Sequence, residues 1–354
     1  MKIGILTHHY VKNYGAFLQT FALQEVLKEN FPNDDVYVIN YINRKHLLIN
    51  TLGWFRFNIK KDKFKKYYQK IQVPHVFKKF EHKYLNTTKK VYSAKKINDL
   101  NFDVIIIGSD EVWHYDDPKS YDSIKFGDKL TCKKIITYAP SMGNSNLEKV
   151  PNEVLESINN IKQLSARDSK TEKFINEVIS KKCVRVLDPT FLYNFSVYES
   201  QIVEQMKKDK YILMYYCDKL PEDMKNYIQE YARKNNLKIY GAGEYQKWFD
   251  NFPININPFE FVEMFRNAKF VFTGTFHGTV FSIKSEKQFY NYISNKSRKE
   301  KIFSLLNWLE INDRDITNFI NNSPKKIDYK KVNNTIDKMK QQSLEYLLNI
   351  NKLQ

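Results

Sequence analysis

The feature that most constrains this chain is a series of short apolar runs, each closed by small or polar residues and followed by a segment of helical period. Lys2–Thr7 (KIGILT) leads into Asn13-Tyr-Gly-Ala16, after which Phe17, Leu18, Phe21, Ala22, Val26 and Leu27 recur at helical spacing. Such a strand–turn–helix opening is the first unit of a doubly wound α/β domain. Val36–Asn40, Asp103–Ile107, Lys134–Tyr138, Gln163–Ser165 and Val184–Val186 read as further strands. Arg167-Asp168 opens a helix through Ile179, with Asp168 and Ser169 as caps. A second alternation starts at Tyr211–Cys217, a strand, and continues with helix Pro221–Asn235, strand Lys238–Tyr240, helix Pro258–Asn267, strand Lys269–Phe272, a helix from about His277 to Lys284, and strand Gln288–Tyr292. Lys299–Glu310 and Tyr329–Ile350 are amphipathic helices. The pattern predicts two doubly wound, Rossmann-like lobes facing a central cleft. The first covers 1–200 and carries a basic helical insertion at about 44–100 that looks outside the core. The second covers 201–326, and 327–354 is a C-terminal helix.

Composition narrows the class. The chain has 354 residues, enough for two cores, and 42% hydrophobic residues, which excludes a disordered chain. No apolar run approaches the roughly 18–20 residues that span a bilayer. Met1–Leu6 enters a strand-like segment directly, which reads as no signal peptide. Cys132, Cys183 and Cys217 are few and scattered, which fits a reducing cytoplasm and neither a disulfide framework nor a zinc site. The net charge is +17, but only 8 of the 57 basic residues are arginine. Nucleic-acid recognition favours arginine clusters, so the excess reads as lysine drift and no nucleic-acid partner is expected. The positive field still attracts anions: phosphates, acidic glycans or an anionic membrane surface.

Most glycine motifs are weak. Gly241-Ala-Gly243 lacks the full dinucleotide fingerprint. The sharpest feature is Thr273-Gly-Thr-Phe-His-Gly278, between a buried strand and a helix. It places backbone amides, the hydroxyls of Thr273 and Thr275, and His277 at a helix N-terminus, where anions bind. His277 is placed there to donate a proton or to bind a phosphate or carboxylate; the competing reading is that it caps the helix while Gly278 allows close packing. His8 and His9 follow the first strand, so at least one should face the cleft. His46, His75 and His82 lie in the insertion and read as solvated. Arg167 and Arg298 stand out because arginine is scarce, and each suits either an anion or a surface salt bridge. No His/acid spacing makes a metal site.

Six motifs, in order, resemble the polysaccharide pyruvyl transferase family. Asn13-Tyr-Gly-Ala-Phe-Leu-Gln19 resembles its N-terminal signature, and Gly108-Ser-Asp-Glu-Val-Trp-His114 its GSDQVWN stretch. Tyr138-Ala-Pro-Ser-Met-Gly143 resembles YAASFG, Ser165-Ala-Arg-Asp168 resembles SVRE, and Asp188-Pro-Thr190 resembles DPT. Thr273-Gly-Thr-Phe-His-Gly-Thr-Val-Phe-Ser-Ile283 resembles TDSFHGTVFSI. The chain departs from the pattern at Glu111 (usually Gln), His114 (Asn), Pro140 (Ala), Asp168 (Glu) and Gly274-Thr275 (Asp-Ser). One branch of the family has Arg-Leu-His where Thr275-Phe276-His277 stand, so that branch's donor-binding Arg is missing here.

The resemblance implies a GT-B-like fold and a transferase. Its donor would be phosphoenolpyruvate, and its acceptor a sugar or lipid-linked oligosaccharide of a bacterial exopolysaccharide, capsule or cell-wall polysaccharide, on which pyruvate is set as a ketal. No cofactor and no metal are implied. By resemblance His277 is the general acid or phosphate partner, and Arg167, with Arg298, neutralises the donor. Asn13, Tyr14, Gly15, Asp110, Ser141, Thr273, Thr275 and Gly278 bind substrate. Such an enzyme would be cytoplasmic. A lipid-linked acceptor would suit peripheral contact of the basic insertion with the inner face of the membrane; a plain solvated surface explains that insertion too. Two other readings stay open on the same architecture. One is a sugar-nucleotide glycosyltransferase, with its nucleotide near Gly241–Gly243 and Glu260–Glu263. The other is a non-catalytic glycan-binding relative.

Overall fold

The computed structural model describes residues 1–55, 64–216, 220–243, 245–253, 255–293, 296–316 and 325–352. Cys217 and part of the Lys60–Lys70 basic run lie outside the described residues. The chain divides into two compact units: Met1–Gly53, Lys78–Asn194 and Asn334–Gln354 form one, and Trp54–Phe77 with Phe195–Asn333 form the other. The units thus change over just ahead of residue 200. Part of the insertion belongs to the second unit, and most of the C-terminal helix to the first.

In the first unit, β1 (Lys2–Leu6), β2 (Asp35–Val38), β3 (Val104–Asp110) and β4 (Lys134–Pro140) form one parallel sheet in the order β2-β1-β3-β4. Ile3 pairs with Val36 on one side and Val104 on the other. Parallel strands are covered on both faces, which is why these runs are continuously apolar. The crossovers leave β1 in opposite directions, so the topological switch point lies between β1 and β3. Helix Tyr14–Asn30 is buried along most of its length, as expected of a helix apolar on several sides. Its buried Gln24 is satisfied by the Tyr84 carbonyl (2.9 Å) and the Asn86 amide (2.6 Å). β5 (Leu164–Ala166) and β6 (Cys183–Arg185) make a small parallel sheet, which reaches β4 through a bridge between Ile136 and Gln163. Asp168 caps helix Ser169–Lys173 through the Thr171 amide. Beyond it the chain widens into a π-turn at Phe174–Val178 instead of keeping α geometry to Ile179.

The 44–100 segment is helical at Arg44–Phe55, Phe64–Tyr84 and Ala94–Asn98. It differs from expectation in its relation to the core: Val91, Ala94, Ile97 and Leu100 pack into the hydrophobic cluster of the first unit. Lysines mask this apolar set when the segment is read by composition.

In the second unit, β7 (Tyr211–Tyr216), β8 (Lys238–Gly243), β9 (Phe270–Thr273) and β10 (Phe289–Asn291) form a parallel sheet in the order β10-β9-β7-β8. Numbered from its own first strand, it repeats the order of the first sheet, with the switch point between β7 and β9. Helices Glu222–Lys234, Pro258–Asn267 and Phe276–Lys284 connect the strands. Asn257 and Glu260 close a capping box at the second of these helices. Gly241-Ala-Gly243 is the end of β8 and not a loop. A Cβ on Gly241 would stand 2.0 Å from the Phe249 ring, so aromatic packing accounts for this glycine.

Candidate active site

Ligands of open α/β sheets bind beyond the carboxyl ends of the strands, at the switch point. In the first unit these ends are crowded and charged. Gly108 has φ of 121°, and a Cβ there would sit 2.2 Å from the Tyr138 carbonyl oxygen. Asp110 (φ 79°) and Ala139 (φ 51°) are non-glycine residues in the left-handed region, on neighbouring strands. Such strain collects at functional sites. The Ser141 amide donates to the Asp110 carbonyl (2.8 Å), and the Ser141 hydroxyl accepts from the Gly143 amide (3.2 Å).

Arg167 lies beside them. Its guanidinium donates to Asp188 Oδ2 at 3.0 Å and to Asp110 Oδ1 at 3.3 Å, and its side chain is 1% exposed. Burial opposes the charge; Asp110, Asp188 and Asp168 outweigh burial and hold the group protonated above its ordinary range. Its charge is taken up by two carboxylates. The structure therefore places Arg167 as the strut that fixes the ends of β3 and β5, behind the Asp110 carboxylate, which is 21% exposed. Asp188 also accepts from the Thr190 amide and hydroxyl.

A second buried cluster follows β1. Lys125 is fully buried and its Nζ donates to His8 Nδ1 at 2.6 Å. His46 Nδ1 lies 2.9 Å from the Tyr10 hydroxyl. Burial pushes the Lys125 ammonium down to about 8, against the pull of Asp122. It holds His9 and His46 down at about 4, and His8 well below the imidazole range with help from the Lys125 charge. His46 is thus not solvated as its place in the basic insertion suggested: it is 8% exposed. His8 and His9 are both buried as well. Lys125 went unremarked in the sequence because it is one lysine among many, although its Ile-Lys-Phe setting is the signal that finds it. Asn13 spends its side chain on the Ala16 amide as the N-cap of the first helix; Tyr14 and Gly15 begin that helix.

The second unit presents a different strand end. Thr275 is the N-cap of helix Phe276–Lys284 and accepts from the Gly278 amide at 3.0 Å. The capping role weighed for His277 therefore belongs to Thr275. The Thr273 hydroxyl donates to the Tyr215 carbonyl (2.8 Å) and accepts from the Thr275 amide (3.2 Å). A Cβ on Gly278 would meet Thr273 Oγ1 at 2.1 Å and Thr275 Oγ1 at 2.6 Å, so only glycine lets the helix start this close to β9. His277 sits in the first turn, 9% exposed, with its ring edge-on to Phe276 at 5.4 Å. Arg298, half-buried, lies in helix Lys296–Trp308.

The structure thus joins Asp110, Ser141 and Arg167 in one unit, and Thr273, Thr275, His277 and Gly278 in the other. The acids named for a nucleotide are otherwise engaged: Glu260 closes the capping box, and Glu263 pairs with Arg266 and accepts from the Tyr198 amide. Among the described residues, no three His, Cys, Asp or Glu side chains are grouped to hold a metal ion. Nor is any helix among them long and apolar enough to cross a membrane.

Residues 13–297 match the family described as polysaccharide pyruvyl transferase. No curated protein matches the chain. Among solved structures, a candidate UDP-N-acetylglucosamine 2-epimerase from Listeria monocytogenes aligns with TM-score 0.53 and 11% identity, over 96% of this chain and 90% of that one. The Methanocaldococcus jannaschii UDP-GlcNAc 2-epimerase, in complex with UDP-GlcNAc and UDP, aligns with TM-score 0.51 and 12% identity, over 96% and 99%. S. aureus MnaA with UDP gives 0.50 and 10%, over 97% and 90%. At these identities the likeness shows the fold alone: a GT-B-like α/β architecture with two parallel sheets.

Proposed function

This chain belongs to the polysaccharide pyruvyl transferase family, and we propose that it transfers the pyruvyl unit of phosphoenolpyruvate to two hydroxyls of a sugar, as a cyclic ketal. The observation that carries this reading is the strand end after β9. There His277 stands in the first turn of a nine-residue helix whose N-cap is Thr275. A helix N-terminus favours the donor's phosphate and carboxylate, and an imidazole beside them serves as general acid.

In the proposed reaction His277 protonates the methylene carbon, and C2 becomes oxocarbenium-like. One sugar hydroxyl adds, phosphate leaves, and the second hydroxyl closes the ring. Of the two hydroxyl protons released, one replaces the proton delivered to carbon and the other leaves with phosphate. Arg298, in helix Lys296–Trp308 of the same unit, is the proposed cation for the donor. Arg167 acts through Asp110, holding its carboxylate where an acceptor hydroxyl is received, with Ser141 behind it and Asn13, Tyr14 and Gly15 forming the neighbouring helix start. The acceptor belongs to a bacterial surface polysaccharide and is met as a lipid-linked sugar on the cytoplasmic side.

The test is mass spectrometry of phosphoenolpyruvate with a panel of glycosides, run beside a thermal-shift screen that includes sugar nucleotides. Ketal product and stabilisation by phosphoenolpyruvate are expected. Stabilisation by a sugar nucleotide alone, with no ketal from any glycoside, would overturn the reading.

A further inference from the structure

The loop that leaves β3 holds an acid–base pair. Glu111 Oε1 lies 2.9 Å from His114 Nδ1, three residues along. A carboxylate only accepts, so Nδ1 donates this bond, and in the neutral imidazole that leaves Nε2 as the nitrogen that accepts a proton. No hydrogen bond occupies His114 Nε2 among the described residues. The Glu111 and His114 side chains are 24% and 16% exposed, so a solute reaches this imidazole, whereas Arg167 is sealed.

The surroundings hold the pair in place. Gly143 has φ of 59°, and a Cβ there would stand 2.4 Å from Glu111 Oε1, so its bare Cα makes room for the carboxylate. Trp113, between the two residues, is fully buried and stacks on Phe126 with centroids 5.4 Å apart. Its amide donates to the Ser141 carbonyl, and its Nε1 donates to the Lys125 carbonyl at 2.7 Å. The Glu111 backbone carbonyl lies against the His8 imidazole, whose Nδ1 also meets Lys125 Nζ at 2.6 Å. The pair is therefore mounted on packed residues at the carboxyl end of β3, beside the switch point. The family stretch that this loop resembles has Gln and Asn at these two positions, and neither titrates. Here both are exchanged at once, for a carboxylate and an imidazole within hydrogen-bond reach.

We propose that Glu111 and His114 form the general base of this enzyme: His114 Nε2 takes the proton of the sugar hydroxyl that attacks C2, and Glu111 steadies the imidazolium. This rests on the pyruvyl-transfer reading given above. The O–C2 bond forms as the hydroxyl proton passes to Nε2. The imidazolium then returns that proton to solvent, which resupplies the acid that protonates the methylene carbon. The carboxylate–imidazole–hydroxyl arrangement is the one used wherever a positioned base activates an oxygen nucleophile.

The test combines kinetics with chemical protection, on the full chain. Phosphate release from phosphoenolpyruvate is measured with the glycoside panel for wild type, for His114→Ala and for the double variant Glu111→Gln/His114→Asn, each checked for a wild-type melting transition. Both variants should lose about 10²–10⁴-fold in rate, the range of general-base catalysis, and added imidazole should restore part of the rate of His114→Ala. Undiminished turnover, or a loss that imidazole does not repair, overturns the proposal. In parallel, wild type is treated with diethyl pyrocarbonate and His114 modification is read by peptide mass. Modification that a glycoside suppresses is expected. No modification, or modification that no glycoside suppresses, overturns the proposal whether or not turnover is seen. If wild type turns over no phosphoenolpyruvate yet a glycoside shields His114, the donor assignment falls while the acceptor-side base stands.

Discussion

The two sheets share one strand order, yet their carboxyl ends are finished differently. The first ends in buried charge: Arg167 between Asp110 and Asp188, and Lys125 against His8. The second ends in hydroxyls, glycine and a single imidazole, with Thr273 and Thr275 satisfying each other and the backbone. The contrast separates two ways of building a strand end. Buried ions cost desolvation and hold only when every partner is in place, so the first end is a rigid mount. The second satisfies its hydroxyls locally, at the N-terminus of the motif helix, the kind of end that favours anions. The charged end thus belongs to one unit, and the strand end proposed for the donor to the other.

Four measurements would break or sharpen that contrast, taken from the largest expected effect to the smallest. His277→Ala should abolish phosphate release from phosphoenolpyruvate in the presence of acceptor, by about 10³-fold or more for loss of a general acid with its binding role, while its urea midpoint stays near wild type. A wild-type rate would remove His277 from the mechanism. Asp188→Ala should show itself first in stability. Removing one partner leaves Arg167 buried and partly unpaired, and that typically costs about 3–5 kcal/mol, read from urea unfolding. A loss below about 1 kcal/mol would mean that the charged end is not the rigid one.

Acid is the third probe. His9 and His46 are held at about 4 in the folded chain, below their unfolded value of about 6.5. The unfolded state therefore binds more protons below pH 6.5, and stability is lost as pH falls from about 6.5 toward 4. Lys125, lowered to about 8, acts at the other limit. Its burial is penalised below about 8, and that penalty is relieved as pH rises toward the unfolded value near 10.4. Urea midpoints that stay flat between pH 7 and 5 would contradict the buried histidines. The smallest effect is expected from Thr275→Ala, which removes the N-cap of the motif helix and should cost about 0.5–2 kcal/mol. A loss as large as that of Asp188→Ala would erase the distinction between the two ends.

Much of this was legible in the residues. The buried runs of β1, β3, β7 and β9 read as strands because a parallel sheet covered on both faces demands uninterrupted apolar residues. Asp168 read as a cap, and the glycine-bracketed His277 read as the start of a helix, because both are local effects within one turn. The failures share a cause as well. His46 looked solvated among lysines, and Val91, Ala94, Ile97 and Leu100 were hidden in the same basic segment. Lys125 was lost in a lysine-rich composition. Arg167 was legible as unusual, but nothing near it in sequence shows that Asp110 and Asp188 absorb its charge. Glu111 and His114 were visible only as two separate departures from a family pattern.

The sequence by itself determined the alternation of strands and helices, the presence of two α/β units, the motif at residues 273–278 and the family. All of these depend on period, spacing and contacts within a few residues. Only the tertiary structure decided which charges are spent and which remain available. Arg167 meets a carboxylate 57 residues away, and Lys125 an imidazole 117 residues away. Burial and ion pairing are set by what folding brings next to a side chain, and no local pattern encodes that.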